Sequence, residues 1–262
     1  MRDPPRVAVV SSATGKEFLE YTLEWLDLVD RTVYPDFSIN LVDDGGELVT
    51  GLVPFLSGRG GRAPRIDVAR VEKKTSISAT FNSAIGLGLQ KDPDFVCLLT
   101  TSTRPTKTSW LQQLVDRMVA HPSAGIAGTF NVNRDGTVNH AGMAVMHYAD
   151  LITGHIGRDV NRGEGLEGLE RMVEAVTGAC MLLRREILDF GVLFDETLLQ
   201  ACNDPDLCFQ AREHGYGTLY VPTVTMVRDE GHTRDSPKYK VPYEPDYRRF
   251  NEKWKNRSAA WL

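Results

Sequence analysis

The chain has 262 residues, of which 42% are hydrophobic and 25% charged, the balance of a folded protein rather than a disordered or fibrous one. Its 30 Lys and Arg against 35 Asp and Glu leave a net charge of −5, which argues against a general polyanion binder and against nucleic acid as a partner. No apolar run approaches the roughly 18–20 residues of a membrane-spanning helix, so no transmembrane segment is expected.

Arg6 to Ser12 is a β-branched run that ends in small polar residues, which predicts a buried strand opening into a loop. It follows Met1–Pro5 directly, so no secretory leader is expected and the predicted setting is cytoplasmic. Glu17 to Val29 carries helical apolar spacing. Phe37 to Val42 predicts a second strand, stopped by the turn sequence Asp43-Asp44-Gly45-Gly46. Ile66 to Val71 predicts a third strand, Ser78 to Leu89 a helix, Phe95 to Leu99 a fourth strand, Thr108 to Ala120 a helix, and Gly125 onward a strand. Strands alternating with helices predict a mainly parallel sheet, and continuously apolar strands predict helices on both of its faces. Ligands of such sheets bind beyond the carboxyl ends of the strands, here the loops at Ser11-Ser12, Asp43-Asp44 and Thr100 to Arg104.

The second half reads differently. Gly142 to Tyr148 is strand-like, Gly154 to Gly168 holds five glycines and reads as a loop, and Val173 to Arg184 reads as one strand. A helix from Asp204 to His214, a strand from Gly217 to Val227 and a helix from Asp246 to Lys255 complete the chain. No internal repeat is visible, so a single α/β domain with a mixed sheet is expected. Cys97, Cys180, Cys202 and Cys208 form no CxxC pair; Cys97 and Cys180 read as buried small hydrophobes, and a reducing compartment fits all four.

Several segments, taken in order, resemble the inverting family 2 glycosyltransferases of GT-A fold. They are Val42-Asp43-Asp44-Gly45-Gly46, Ser78 to Ile85 with its Asn82, Phe95 to Leu99 followed by Arg104-Pro105 and Trp110, Gly178 to Arg185 with Phe194-Asp195-Glu196, and Asn203 to Cys208 followed by Gly215. Phe250 to Trp254 is similar to an ending found in bacterial members. The resemblance implies a GT-A domain over 1–235, with a nucleotide-binding half over 1–130 and an acceptor half over 131–235, and a C-terminal helical tail over 236–262 packed on it. It implies transfer of a sugar from a UDP-, GDP- or dTDP-linked donor to a hydroxyl of a glycan, protein or small molecule, with inversion.

Carried residue by residue, the resemblance makes Asp204 the general base that deprotonates the attacking hydroxyl. An Asp opening a helix is also a preferred cap. Asp206 is its companion, nearer to structure in the family and, in the first helical turn, also read as helix-stabilising; it is placed on the acceptor side with His140 and Gly178. Ser11, Asp43, Asp44, Lys74, Asn82, Ser102, Arg104 and Arg228 are the expected nucleotide-sugar residues. Asp43 and Asp44 also read as an ordinary turn.

Two departures stand out. Ser102 takes the place of the acid that binds a metal in the family, and a hydroxyl is a poorer Mg²⁺ or Mn²⁺ ligand than a carboxylate. Arg228 stands where a histidine is common. No metal-ligand set is identified. One expectation is a metal-independent transferase, its leaving diphosphate offset by Arg228, Lys74 or Arg104; Mg or Mn stays open as a cofactor, with Asp43 or Asp44 as a substitute ligand. The alternative is a non-catalytic domain that binds sugar, nucleotide or a partner protein. A dinucleotide-dependent dehydrogenase is disfavoured because no GxGxxG follows the first strand.

Overall fold

A computed structural model of the chain describes residues 3–46, 48–58, 65–72, 76–161, 167–229 and 241–257. Lys74 and His232 lie outside the described residues. In chain order the first half holds β1 (Val7–Thr14), α1 (Leu19–Asp30), β2 (Phe37–Asp44), α2 (Val49–Gly58), β3 (Arg65–Val71), α3 (Ile77–Leu89), β4 (Phe95–Leu99), β5 (Thr103–Pro105) and α4 (Trp110–Ala120). The second half holds β6 (Ala124–Asn133), β7 (Val138–His140), β8 (Met143–His147), β9 (Leu151–His155), β10 (Arg171–Val173), β11 (Cys180–Arg184), α5 (Arg185–Asp189), α6 (Asn203–Glu213), β12 (Gly217–Arg228) and α7 (Glu244–Trp254).

The main sheet runs in the order β10-β12-β6-β11-β4-β1-β2-β3. β1, β2, β3 and β4 pair in parallel, as do β6 and β12, whereas β11 is antiparallel to both its neighbours β4 and β6. Strand side chains alternate between faces, and both faces are apolar. On β1, Val7 and Val9 enter one core with Trp25, Leu26 and Trp110, while Ala8 and Val10 enter the other with Phe81, Ile85 and Leu207. On β4, Phe95, Cys97 and Leu99 divide from Val96 and Leu98 in the same way. That two-sided burial explains why these strands read as unbroken apolar runs. The architecture is the expected mixed, mostly parallel α/β sheet with helices on both faces.

Three local expectations are corrected. Val173 to Arg184 is not one strand: β10 pairs with β12, β11 sits between β4 and β6, and the residues between them cross from one set of neighbours to the other. Gly154 is not in a loop but in β9, opposite Ala144 of β8 in a separate two-stranded sheet. Helix α2 was not foreseen; it holds Gly51 and Pro54, two residue types of low helix propensity. Gly51 is there for contact: a Cβ on it would meet Leu19 Cδ2 at 2.4 Å, so its absence lets α2 approach α1.

The C-terminal helix closes a smaller core. Phe250 and Trp254 are fully buried with Phe209, Val145, Leu151 and Cys202. Asn251 exchanges hydrogen bonds with the Leu151 backbone, donating at 3.2 Å and accepting at 2.6 Å. Asp246, also fully buried, accepts from the N–H groups of Leu199, Gln200 and Ala201 at 2.8–3.1 Å. The next residue, Cys202, caps α6 in the left-handed region at φ 59°. A β-carbon there costs on the order of 1–3 kcal/mol, and it persists only where its surroundings hold it. The carboxylate of α7 thus fixes the loop that aims the first turn of α6.

Candidate active site

A cavity of about 500 Å³ opens where β1, β2 and β4 end, at Ser12, Ala13, Asp44 and Thr100 to Ser102. This is the carboxyl edge at which parallel α/β sheets bind ligands. The same cavity is lined by Gly178 and Ala179 before β11, Asp204 at the start of α6, Arg228 at the end of β12 and His155 at the end of β9.

Asp204 lies on this wall. Its Oδ2 accepts from the Thr177 hydroxyl at 3.3 Å. Burial raises its carboxyl above the ordinary carboxylate range, against the opposing pull of the Gly178 N–H, Arg228 and the Thr177 hydroxyl. Gly178 is required by contact, since a Cβ on it would come within 2.7 Å of Asp204 Oδ1. Arg228 Nη1 donates to Thr177 Oγ1 at 3.4 Å and to Asn139 Oδ1 at 3.5 Å. The Thr177 hydroxyl therefore stands between the acid and the guanidinium.

The remaining expected residues divide. Asp44 lines the cavity and accepts from Thr80 Oγ1 at 2.9 Å. Ser102 lines it too, 3.3 Å from the Thr100 hydroxyl, and its carbonyl accepts the Asp229 N–H at 2.9 Å. Asp43 is fully buried, and its Oδ2 accepts the Leu48 N–H at 3.0 Å, holding the turn before α2. Ser11 is fully buried behind Ser12 and Ala13.

Like Ser11 and Asp43, four further residues do not line the cavity. Asn82 spends its amide on the Phe194 backbone, accepting at 3.0 Å and donating at 2.9 Å, and so pins α3 to the segment before α6. Arg104 donates to Asp229 Oδ2 at 2.8 Å and to Glu24 Oε2 at 2.6 Å, and lies 4.9 Å over the Tyr21 ring. Asp206, fully buried, takes Trp254 Nε1 at 2.6 Å, Gln210 Nε2 at 2.7 Å and Lys253 Nζ at 2.8 Å, so it anchors α7. His140 is fully buried against His155. Each was read from a motif position, and each has a neighbour in sequence or space that faces the cavity instead. Thr177 and Asp229 were not singled out. A hydroxyl beside Gly178 and an acid beside Arg228 were the only signals available.

The donor groups here do not fit a divalent cation. Ser102 offers a hydroxyl, and Asp229 has its carboxylate in ion pairs with Arg104 and Arg134. Among the described residues no three His, Cys, Asp or Glu side chains gather where they could hold a metal. Among the same residues no helix is long and apolar enough to cross a membrane.

Comparison with known proteins agrees with the fold. The family model described as glycosyltransferase-like family 2 matches residues 4–244. An uncharacterised protein, y4gI, of Sinorhizobium fredii is 26% identical over 99% of this chain and 29% of its own length. The O-antigen biosynthesis protein RfbC of Myxococcus xanthus is 24% identical over 89% of this chain and 18% of its own. The chain thus spans less than a third of the length of either relative. Among solved structures, GalNAc-T7 with UDP, GalNAc and Mn²⁺ superposes with a TM-score of 0.65 at 16% identity, over 99% of this chain and 50% of that one. The mannosyltransferase PcManGT of Pyrobaculum calidifontis, in complex with GDP-Man and Mn²⁺, gives 0.62 at 14% identity, over 98% and 71%. TarS of S. aureus with UDP-GlcNAc also gives 0.62 at 14% identity, over 93% and 64%. The chain belongs to the glycosyltransferase-like family 2 and has the GT-A fold.

Proposed function

We propose that this domain moves a sugar from a nucleoside-diphosphate donor to a hydroxyl acceptor with inversion, with Asp204 as the general base. The observation that carries the reading is the Asp204 carboxyl on the cavity wall, raised by burial and held by the Thr177 hydroxyl across from Arg228. A base tuned upward holds a proton more firmly as the acceptor oxygen releases it. The acceptor oxygen attacks the anomeric carbon, the bond from that carbon to the diphosphate oxygen breaks, and the nucleoside diphosphate leaves with the electron pair. Asp204 takes the acceptor proton. Arg228, on the same wall, supplies positive charge for the departing diphosphate.

Support for a metal-free route comes from Ser102 and from the engagement of Asp229 by two arginines. Ser102 also favours the second reading, a binding domain without turnover. One experiment separates these. Release of UDP or GDP from UDP-GlcNAc, UDP-GalNAc and GDP-mannose is followed in EDTA and in millimolar Mn²⁺, for the wild type, Asp204→Asn and Arg228→Ala. The reading expects turnover that survives EDTA, falls about 10²–10⁴-fold in Asp204→Asn, and drops in Arg228→Ala. Equal turnover in Asp204→Asn removes the base. Turnover that collapses in EDTA and ignores Arg228→Ala removes the metal-free route. Nucleotide binding with no turnover in any arm selects the binding domain.

A further inference from the structure

The cavity has one polar construction that the proposed chemistry does not use. His140, at the end of β7, and His155, at the end of β9, face each other with their Nδ1 atoms 2.9 Å apart and their rings edge to face. His140 is fully buried, whereas His155 is partly exposed on the cavity wall. On its other side, His140 Nε2 lies 3.3 Å from the Thr177 N–H. The Thr177 N–H can only donate, so His140 Nε2 accepts and carries no proton. A neutral imidazole has one ring proton, and that proton is then on His140 Nδ1. His140 Nδ1–H donates to His155 Nδ1, which leaves the proton of His155 on its Nε2. The three groups have only one consistent arrangement of protons.

We propose that the His140–His155 pair is a positioning device for Asp204, acting through Thr177, and this rests on the reading of Asp204 as the base. His140 holds the Thr177 backbone, and the Thr177 hydroxyl then reaches Asp204 Oδ2 at 3.3 Å and receives Arg228 Nη1 at 3.4 Å. The adjoining Gly178 N–H also supports the carboxylate. His155 keeps His140 in the tautomer that can accept from Thr177. Protonating His140 puts an N–H on Nε2, which then faces the Thr177 N–H, donor against donor. Burial opposes that charge as well, joined by His155, Arg228, Arg158 and Arg171, and holds His140 well below the usual imidazole range. His140 therefore stays neutral where an exposed histidine titrates. The hairpin formed by β8 and β9 is in this way connected to the base by hydrogen bonds rather than by packing alone.

The test uses the full chain and needs neither donor nor acceptor. Imidazole ¹⁵N spectra are expected to show His140 as the Nδ1–H tautomer, neutral across the ordinary histidine range near about pH 6.5. An Nε2–H tautomer, or an ordinary titration, overturns the proposal. The Asp204 carboxyl ¹³C signal, assigned by its loss in Asp204→Asn, is then titrated in two variants. His140→Phe removes the acceptor for Thr177, and the midpoint should rise by about one pH unit, the size of one lost hydrogen bond to the carboxylate. His140→Gln keeps an acceptor near Nε2 and should restore the wild-type midpoint. An unchanged midpoint in His140→Phe means the pair only packs, and the proposal falls. Should His140→Phe not fold, His155→Phe on the cavity wall must produce the same upward shift, and its absence overturns the proposal equally. Wild-type turnover in Asp204→Asn instead removes the base assignment and leaves these spectra unaffected, so the two failures are distinguishable.

Discussion

The two halves of the chain use their polar residues differently. In the first half, most motif residues have turned inward: Asp43 holds the Leu48 N–H, Asn82 holds Phe194, and Arg104 is shared by Asp229 and Glu24. What this half shows to the cavity includes Asp44 and a row of hydroxyls from Thr100 to Ser102. In the second half Asp206 and His140 are buried as well, but an acid, a cation and a histidine reach the cavity together, as Asp204, Arg228 and His155. Burial of a polar group requires partners, so residues that spend their polar groups on partners build structure. Those left on the wall are the ones available for chemistry.

The sharpest break in that comparison is within one turn of α6. Asp206→Ala should cost about 3 kcal/mol of stability, since it strips a buried partner from Trp254, Lys253 and Gln210 at once. Lys253 retains Asp195 at 3.0 Å, which keeps the loss near the lower end for a buried pair. Urea unfolding measures it. Asp204→Asn should not lower the unfolding midpoint. If instead Asp206→Ala unfolds like the wild type and loses nucleotide binding, Asp206 belongs to the cavity and the division drawn here is wrong.

This pair also shows what was legible beforehand. The sheet and its two apolar faces followed from unbroken runs such as Phe95 to Leu99, because burial on both faces leaves a plain mark in composition. The location of the cavity followed from the strand ends. Orientation within a motif did not follow. Asp204 and Asp206 are two residues apart on a helix, about 200° around its axis, so one faces the cavity and the other faces α7. Nothing in an Asp-Pro-Asp sequence says which. His140 was read as a ligand-facing residue and is fully buried, because its partners Thr177 and His155 are 37 and 15 residues away. Helix α2 was missed because a glycine used for close approach looks like one used for a turn.

A smaller effect sharpens the same contrast in the first half of the chain. Asp44→Ala should weaken UDP or GDP binding by about 1–3 kcal/mol, the range for losing hydrogen bonds to a charged group. Asp43→Ala should act mainly on stability, by about 1–2 kcal/mol, through the Leu48 N–H it leaves bare. Calorimetry with each nucleotide and thermal unfolding of each variant give the two readings. Weakened binding in Asp43→Ala with none in Asp44→Ala reverses the assignment between these neighbours.

The smallest effect concerns the sign of a pH dependence. Burial raises the folded-state carboxyl of Asp204 above the ordinary aspartate value of 3.8, so the folded chain holds that proton more firmly than the unfolded chain does. Stability contributed by this group is therefore present at acid pH and falls as pH rises through the window between 3.8 and the folded value. Above that window the ionised, buried carboxylate is a standing destabilisation. Asn cannot ionise, yet it still offers an oxygen to the Thr177 hydroxyl and the Gly178 N–H. Its lost attraction to Arg228 works the other way, but burial is the larger influence on this carboxyl. Asp204→Asn should thus raise Tm by about 2–4 °C near neutral pH, the shift of about 1 kcal/mol in a chain of this size. The gain should vanish where the wild-type carboxyl is itself protonated. His140, held below the ordinary range, has the opposite sign: its contribution is present above 6.5 and lost as pH falls below it, equally in both proteins. It therefore cancels in the difference. Melting curves of the two proteins at about pH 4 and about pH 7 measure that difference. A Tm that falls in Asp204→Asn at neutral pH would mean that the charge of Asp204 is better served by Arg228 than by water. The carboxyl would then be a structural ion pair rather than a base kept ready at the cavity wall.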